Sequence, residues 1–377
     1  MVCRPHDRRA CRGVSATPAP WWNPDADDRL TCIATWEETH DVRTFLFAGP
    51  EPRRFAYQAG QFMTFTLPIE QAGDPVCRCY TLASSPTRPD TVAITVKRVP
   101  GGPASNWLHD HLRPGISLSV AGPMGDFTNA ASRARAFLFL SGGSGITPLM
   151  AMARRACDLA LDHDILFVHS ARTPDDIVFR DELMLMARRN PRFRPVFVCE
   201  GDGRFEQWAG FRGRLSLTML RAIAPDLTGR DIYCCGPAPY MAAVRALLAD
   251  GGCDMALYHE ESFDFADLAA ADPALAAEVI TAEAQSAPAA PAFQVLFARS
   301  NRTIACAADT TVLDAARRAG LRLPSSCTKG VCGTCKSKLV AGSVDMTPAG
   351  GIRQREIDAG MVLLCCSRPT ADLVVDR

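Results

Sequence analysis

The sequence predicts a multidomain protein with an antiparallel β-domain, a parallel α/β domain and a small α+β domain, in that order. Three observations along its 377 residues carry this reading. Short β-type runs separated by turns fill residues 30–125, and from 136 onward buried apolar runs alternate with helical stretches. After residue 265 the composition becomes Ala-rich and then Ala/Pro-rich, as in Ser286-Ala287-Pro288-Ala289-Ala290-Pro291, before a compact last unit begins near Phe293. A chain of this length has room for two or three units that each bury a core. The boundaries read as a flexible leader over 1–28, domains over 29–130, 131–265 and 292–377, and a linker over 266–291.

The leader carries Arg4, Arg8, Arg9 and Arg12 with no apolar stretch after them, so it is not a secretory signal. In the first domain, Thr44-Phe45-Leu46-Phe47, Phe62-Met63-Thr64-Phe65-Thr66-Leu67 and Val92-Ala93-Ile94-Thr95-Val96 read as strands. Many short strands with little helix indicate a barrel or a sandwich. In the second, residues 136–140, 165–169, 195–199 and 231–234 read as buried strands, with helices over 181–189 and 239–249 between them. That alternation indicates a parallel sheet. The last domain shows strands at 293–297 and 303–305 and a helix over 312–319.

Composition narrows the function. Lys+Arg and Asp+Glu both number 41, so the chain lacks the basic excess of a nucleic-acid binder. The most apolar run, 136–140, ends in Ser141-Gly142-Gly143-Ser144-Gly145 and falls far short of the roughly 20 residues that span a bilayer. Twelve of the 16 cysteines are scattered, and with no export signal they read as small buried hydrophobes in a reducing cytoplasm. The other four are different.

Cys327, Cys332 and Cys335 form C-x4-C-x2-C, and 29 residues separate Cys335 from Cys365. This is the spacing of a plant-type [2Fe–2S] centre. Four thiolates must converge on two irons, so three come from one tight loop and the fourth from a distant segment. Gly330 and Gly333 let the loop backbone approach the inorganic sulfides. The rivals are a zinc site, which usually repeats C-x2-C pairs where only one exists here, and a set of unligated thiols. In an extended strand Cys365 and Cys366 face opposite ways, so only one can be the ligand. The segment resembles the plant-type ferredoxins, which implies a β-grasp domain. It also implies that the ligand lies four positions before a proline, selecting Cys365 through Pro369 and leaving Cys366 as a packed side chain.

A strand carrying Arg78-Cys79-Tyr80-Thr81 places Arg78 and Tyr80 on one side. One can grip a phosphate bidentately while the other offers a ring to a planar ligand. Val96-Lys97-Arg98 and Gly101-Gly102-Pro103-Ala104-Ser105-Asn106-Trp107-Leu108 follow, then Gly122-Pro123-Met124-Gly125. This order resembles the ferredoxin–NADP reductase superfamily, which implies a β-barrel that binds flavin. The resemblance places Arg78 on the flavin pyrophosphate, Tyr80 on the isoalloxazine and the Thr81 hydroxyl near its reactive nitrogen. It puts Gly102 and Ser105 at the phosphates, with Cys79, Val96 and Lys97 among the flavin contacts. The family includes FMN proteins, but Gly122-Pro123-Met124-Gly125 is similar to the FAD type.

Leu138-Phe139-Leu140-Ser141-Gly142-Gly143-Ser144-Gly145-Ile146-Thr147 puts a glycine turn between a buried strand and a helix. Such a turn lets the backbone approach a pyrophosphate at the helix N-terminus, which nominates Gly142, Gly143, Gly145 and Thr147. In the same superfamily Cys235-Gly236-Pro237 faces the nicotinamide, which makes Cys235 a catalytic candidate beside Tyr80 and Thr81. Ser170 and Arg172 follow the next strand, and Asp175 and Asp176 would repel a 2′-phosphate, favouring NADH over NADPH. Glu260-Glu261-Ser262-Phe263 closes the domain as similar residues do in several members of the superfamily, a resemblance that implies a cap over the flavin.

A hydride carries two electrons and a [2Fe–2S] cluster accepts one, so a flavin between them makes a two-to-one converter. The domain order resembles reductase components of Rieske-type oxygenases and the NADH reductase of the hybrid-cluster protein. Trp21-Trp22-Asn23-Pro24 and residues 38–45 look most like reductases of bacterial quaternary-amine oxygenases. The resemblance implies electron flow from NADH to FAD to the cluster and on to a partner oxygenase. A reductase serving a hybrid-cluster protein is the alternative. Neither nucleic acid nor membrane is expected as a partner, and the expected location is cytoplasmic.

Overall fold

Period-two burial shapes the first domain. Phe45 and Phe47, Met63, Phe65 and Leu67, and Val92, Ile94 and Val96 all turn inward from alternate strand positions. The computed structural model describes residues 18–24, 26–71, 74–263, 292–321, 323, 330, 333, 335–349 and 351–377. Strands β1 (Arg29–Thr39), β2 (Val42–Ala48), β3 (Phe62–Gln71), β4 (Asp74–Thr81), β5 (Val92–Lys97) and β6 (Ser117–Met124) form one antiparallel sheet in the order β4-β3-β6-β1-β2-β5. An antiparallel bridge between Leu82 and Ile94 joins the end of β4 to β5 and closes the sheet into a barrel. Helix α1 (Pro103–His111) buries Leu108 against this core. It was not distinguished in the sequence, although Pro103 at its first turn is a common helix start.

The leader is shorter than expected. Trp22 is buried, its ring lies 5.2 Å from Phe55, and its Nε1–H donates to the Gly122 carbonyl at 2.9 Å. Main-chain hydrogen bonds from Arg54 to Pro20 and from Trp22 to Arg54 fasten the same stretch. Residues 18–24 and 26–28 therefore belong with the barrel, contrary to a flexible leader running to 28. Residues 1–17 and the expected linker over 266–291 lie outside the described residues.

The second domain is a six-stranded parallel sheet, β10-β9-β8-β7-β11-β12. Its strands are β7 (Ala136–Gly142), β8 (Asp164–Ala171), β9 (Phe193–Cys199), β10 (Phe211–Arg212), β11 (Asp231–Gly236) and β12 (Tyr258–Ser262). Helices α2 (Ile146–Asp158) and α3 (Arg180–Arg189) pack on the face of Phe137, Phe139 and Phe167. Helices α4 (Leu217–Ile223) and α5 (Ala238–Asp250) pack on the face of Leu138, Leu140, Leu166 and Val168. Burial on both faces is why these strands read as unbroken apolar runs.

The third domain is a five-stranded mixed sheet, β14-β13-β19-β15-β17, with a small β16–β18 pair beside it. It comprises β13 (Ala292–Phe297), β14 (Arg302–Ala307), β15 (Lys336–Ala341), β16 (Val344–Met346), β17 (Met361–Leu363), β18 (Ser367–Pro369) and β19 (Leu373–Asp376). A helix over Val312–Arg318, capped by the Thr311 hydroxyl accepting from the Asp314 amide, lays Val312, Leu313 and Ala316 on Val295, Phe297 and Val375. This is the β-grasp arrangement. Among the described residues no helix is long and apolar enough to cross a membrane.

Trp22→Ala removes a buried indole and its hydrogen bond, at a cost of about 3–5 kcal/mol. The expected outcome is a lower urea midpoint for the transition that releases flavin.

Candidate functional site

In a parallel sheet, strands whose continuations leave in opposite directions open a crevice at their C-terminal ends. Here that point lies between β7 and β11. A cleft of about 380 Å³ opens there, lined by Gly142, Gly143 and Ser144, by Ser170, Arg172 and Asp176, by Pro237 and Tyr240, and from the barrel by Lys97. Gly145 is obligatory at the turn, because a Cβ would stand 2.3 Å from the Cys235 carbonyl oxygen. Helix α2 begins at the next residue, so its positive dipole end meets the turn. The Thr147 hydroxyl donates to the Ser144 carbonyl at 3.3 Å. The structure thus gathers Gly142, Gly143, Ser170, Arg172 and Pro237 on one cleft, with Gly145, Thr147, Cys235 and Gly236 immediately behind them.

Cys235 is fully buried, and burial followed by the nearby Glu261 carboxylate pushes its thiol well above the ordinary value. Held there as a neutral thiol, it is suited to contact and shape rather than nucleophilic attack. Glu261 stands opposite it in the β11–β12 register. Burial pushes the Glu261 carboxyl up to about 8, and its Oε2 has no hydrogen-bond partner among the described residues. Sequence reasoning gave this residue no role beyond a cap. Only strand pairing brings it to Cys235, and no local pattern reveals that pairing. Tyr240 was also missed. Its ring lies where a Cβ on Gly142 or Gly236 would come within 3.0 or 2.7 Å, and an aromatic three residues after Pro237 was the available signal.

The expected carboxylate pair does not act together. Asp175 Oδ2 accepts from the Arg204 amide at 2.6 Å, while Asp176 accepts from Arg172 at 2.7 Å and from the Thr173 hydroxyl at 2.9 Å. Asp176 reaches the cleft but its charge is matched by Arg172. Glu200, just beyond β9, lines the cleft with a looser partner, Arg214 at 3.8 Å.

On the barrel, Arg78 and Tyr80 share a face of β4, opposite Phe65 and Met63 of β3. Tyr80 packs edge-on against Phe65 at 5.9 Å, and Arg78 Nη1 donates to the Cys77 carbonyl at 2.9 Å. Cys79 faces the other way, with its thiol 3.4 Å from the Thr64 hydroxyl. Thr81 is buried, and its hydroxyl has no partner among the described residues. A buried hydroxyl left this way is the mark of a ligand contact, and it fits the flavin placement. Ser105 Oγ accepts from the Val99 amide at 3.0 Å beside Gly102, so it braces the start of α1. Val96 turns its side chain into the core, which leaves only its main chain for a flavin. Lys97 pairs with Asp41 at 3.0 Å and points to the nucleotide cleft.

In the third domain Cys335 and Cys365 are both buried and flank the paired ends of β15 and β17. The Leu364 amide donates to the Cys335 carbonyl at 3.4 Å, and the Gly330 amide donates to Cys365 Sγ at 3.2 Å. Gly330 has φ +72°, and a Cβ on it would stand 2.9 Å from Cys366 Sγ. An amide aimed at a buried cysteine sulfur, beside a second buried thiol, suits an iron–sulfur ligand set. Cys327 and Cys332 lie outside the described residues. One expectation is corrected. Leu364–Cys366 is a 3₁₀ turn and not extended strand, so the two thiols do not simply face opposite ways and Cys366 sits over Gly330.

Comparison with known proteins agrees with this geometry. Residues 30–129 match the family described as oxidoreductase FAD-binding domain, 139–246 the oxidoreductase NAD-binding domain, and 296–370 the 2Fe-2S iron-sulfur cluster binding domain. The glycine betaine monooxygenase reductase subunit of Pseudomonas aeruginosa is 47% identical over 349 residues, covering 92% of this chain and 94% of that protein. The chain belongs to the three-domain FAD, NAD and [2Fe–2S] reductase family. The stachydrine N-demethylase reductase subunit of Rhizobium meliloti is 38% identical over 92% of this reductase and 96% of its own length. Phthalate dioxygenase reductase superposes with a TM-score of 0.56 over 94% of this reductase and 100% of that chain, at 24% identity, a likeness of fold.

When bound, FAD supplies the chemistry that takes a hydride from NADH and passes electrons on singly. The reductase's own residues shape that path. Tyr240 walls the cleft, and burial keeps Cys235 and Tyr80 protonated.

Cys365→Ser is expected to abolish or greatly weaken the cluster's visible and electron paramagnetic resonance signatures while NADH still bleaches the flavin. Cys366→Ser should keep those signatures, and the reverse pattern would move the ligand by one residue. For the nucleotide, Glu200→Gln should raise the NADPH-to-NADH ratio of kcat/KM by about twofold to fivefold, the range of an exposed charge interaction. Asp175→Asn should leave that ratio unchanged in the same assay.

Proposed function

We propose that this reductase delivers electrons from NADH to a Rieske-type oxygenase that acts on a quaternary amine such as glycine betaine. The observation that carries the proposal is the 47% identity to a glycine betaine monooxygenase reductase subunit across 92% of this chain. An N-demethylase reductase subunit at 38% supports the same class of acceptor. In this reading Arg78, Tyr80 and Thr81 hold FAD, with Gly102 and Ser105 at its phosphates. Gly142, Gly143, Gly145, Thr147, Ser170, Arg172, Gly236 and Pro237 hold NADH, with Cys235 against the nicotinamide. Cys327, Cys332, Cys335 and Cys365 hold the cluster.

Reconstitution tests the acceptor. The purified reductase, a glycine betaine oxygenase component, NADH and glycine betaine are expected to yield formaldehyde and the demethylated amine in step with NADH oxidation. Coupling to a hybrid-cluster protein with none to the oxygenase would replace this reading.

A further inference from the structure

We infer that Arg353 is a positioning residue for electron transfer, clamping the segment of the third domain beside Cys335 and Cys365 onto the flavin barrel. The guanidinium crosses the domain boundary. Its Nη2 donates to the main-chain carbonyls of Val120 at 3.1 Å and Asp27 at 3.4 Å, and Arg355 adds a loose ion pair to Asp28 at 3.8 Å.

Both ends of this contact are firmly held. On the barrel side the Val120 amide donates to the Asp28 carbonyl at 2.8 Å, so the two acceptors belong to one hydrogen-bonded unit. Val120 of β6 pairs with Phe65 of β3, and Phe65 pairs in turn with Arg78 of β4. The clamp therefore lands two strands from the residues assigned to the flavin, roughly 10 Å at the usual interstrand spacing.

On the cluster side Arg353 is the N-cap of the short helix over Gln354–Asp358, and its amide donates to Glu356 at 2.8 Å. Glu356 also binds Lys336 at 2.7 Å, and Lys336 directly follows Cys335. Two residues before Arg353, the Gly351 amide donates to the Gly330 carbonyl at 2.9 Å, and the Gly330 amide in turn donates to Cys365 Sγ. One short segment thus grips both described cluster cysteines and, through Arg353, the barrel. A charged donor on two carbonyls is a strong contact for its size. Because its acceptors are main-chain atoms, substitutions in neighbouring side chains do not abolish it. The inference holds whichever protein finally takes the electron.

Anaerobic stopped-flow mixing of the full-length holoprotein with NADH separates flavin bleaching from cluster bleaching. Arg353→Ala is expected to leave flavin bleaching unchanged and to slow cluster bleaching by about tenfold, the scale of losing hydrogen bonds from a charged group. Arg353→Lys should recover part of that rate. Amide hydrogen exchange, which does not depend on turnover, should rise over residues 117–124 in Arg353→Ala while the cluster's resonance spectrum stays that of the wild type. Unchanged cluster bleaching with unchanged exchange would overturn the inference. Loss of the cluster spectrum in Arg353→Ala and Arg353→Lys alike would overturn it too, by showing that Arg353 supports the loop itself.

Discussion

The reductase is organised around the place where β7 and β11 run side by side and the chain leaves them in opposite directions. At that point the backbone of Gly145 lies against the Cys235 carbonyl with no space for a side chain. The closeness aims the start of α2 into the cleft and lets Tyr240 lie over Gly142 and Gly236. Strand β12 then pairs with β11 and sets Glu261 opposite Cys235. Each later feature of the nucleotide site depends on that approach of two main chains.

Interdomain contacts follow a common rule. Arg154 of α2 donates to the Ala83 carbonyl of the barrel at 2.5 Å while its other face is held by Glu182. Arg353 treats the Val120 carbonyl in the same way from the third domain. In both cases an arginine, anchored or placed by an acidic residue of its own domain, reaches a carbonyl of the barrel. Asp158 of α2 adds Thr87 at 2.6 Å and Arg88 at 2.9 Å. The barrel is the common support, reached at main-chain carbonyls by Arg154 and Arg353 and at side chains by Asp158 and Arg355.

Features written in short stretches were legible in the sequence. The C-x4-C-x2-C run, the glycine turn before Ile146 and the period-two strands each occupy a dozen residues or fewer; the turn and the strands stand as expected, and the cysteine run falls within the residues that match the 2Fe-2S domain. What escaped depends on distant partners. Trp22 is anchored by Gly122, a hundred residues away, so its segment had no local reason to look ordered. Asp175 and Asp176 stand adjacent in sequence, yet Arg204 and Arg172 draw them to different tasks. Cys365 and Cys366 were placed by strand alternation, whereas a 3₁₀ turn intervenes because the chain must curl from β17 into β18.

The Thr81 hydroxyl carries a consequence for the life of the protein in the cell. It is a buried polar group with no partner among the described residues, and a group left so costs about 1–3 kcal/mol. Flavin binds the folded chain and not the unfolded one, so it shifts the folding balance further in the same direction. A newly made chain still waiting for flavin is therefore the less stable form. Proteases that act on opened states therefore cut the flavin-free chain more readily than the flavin-bound one.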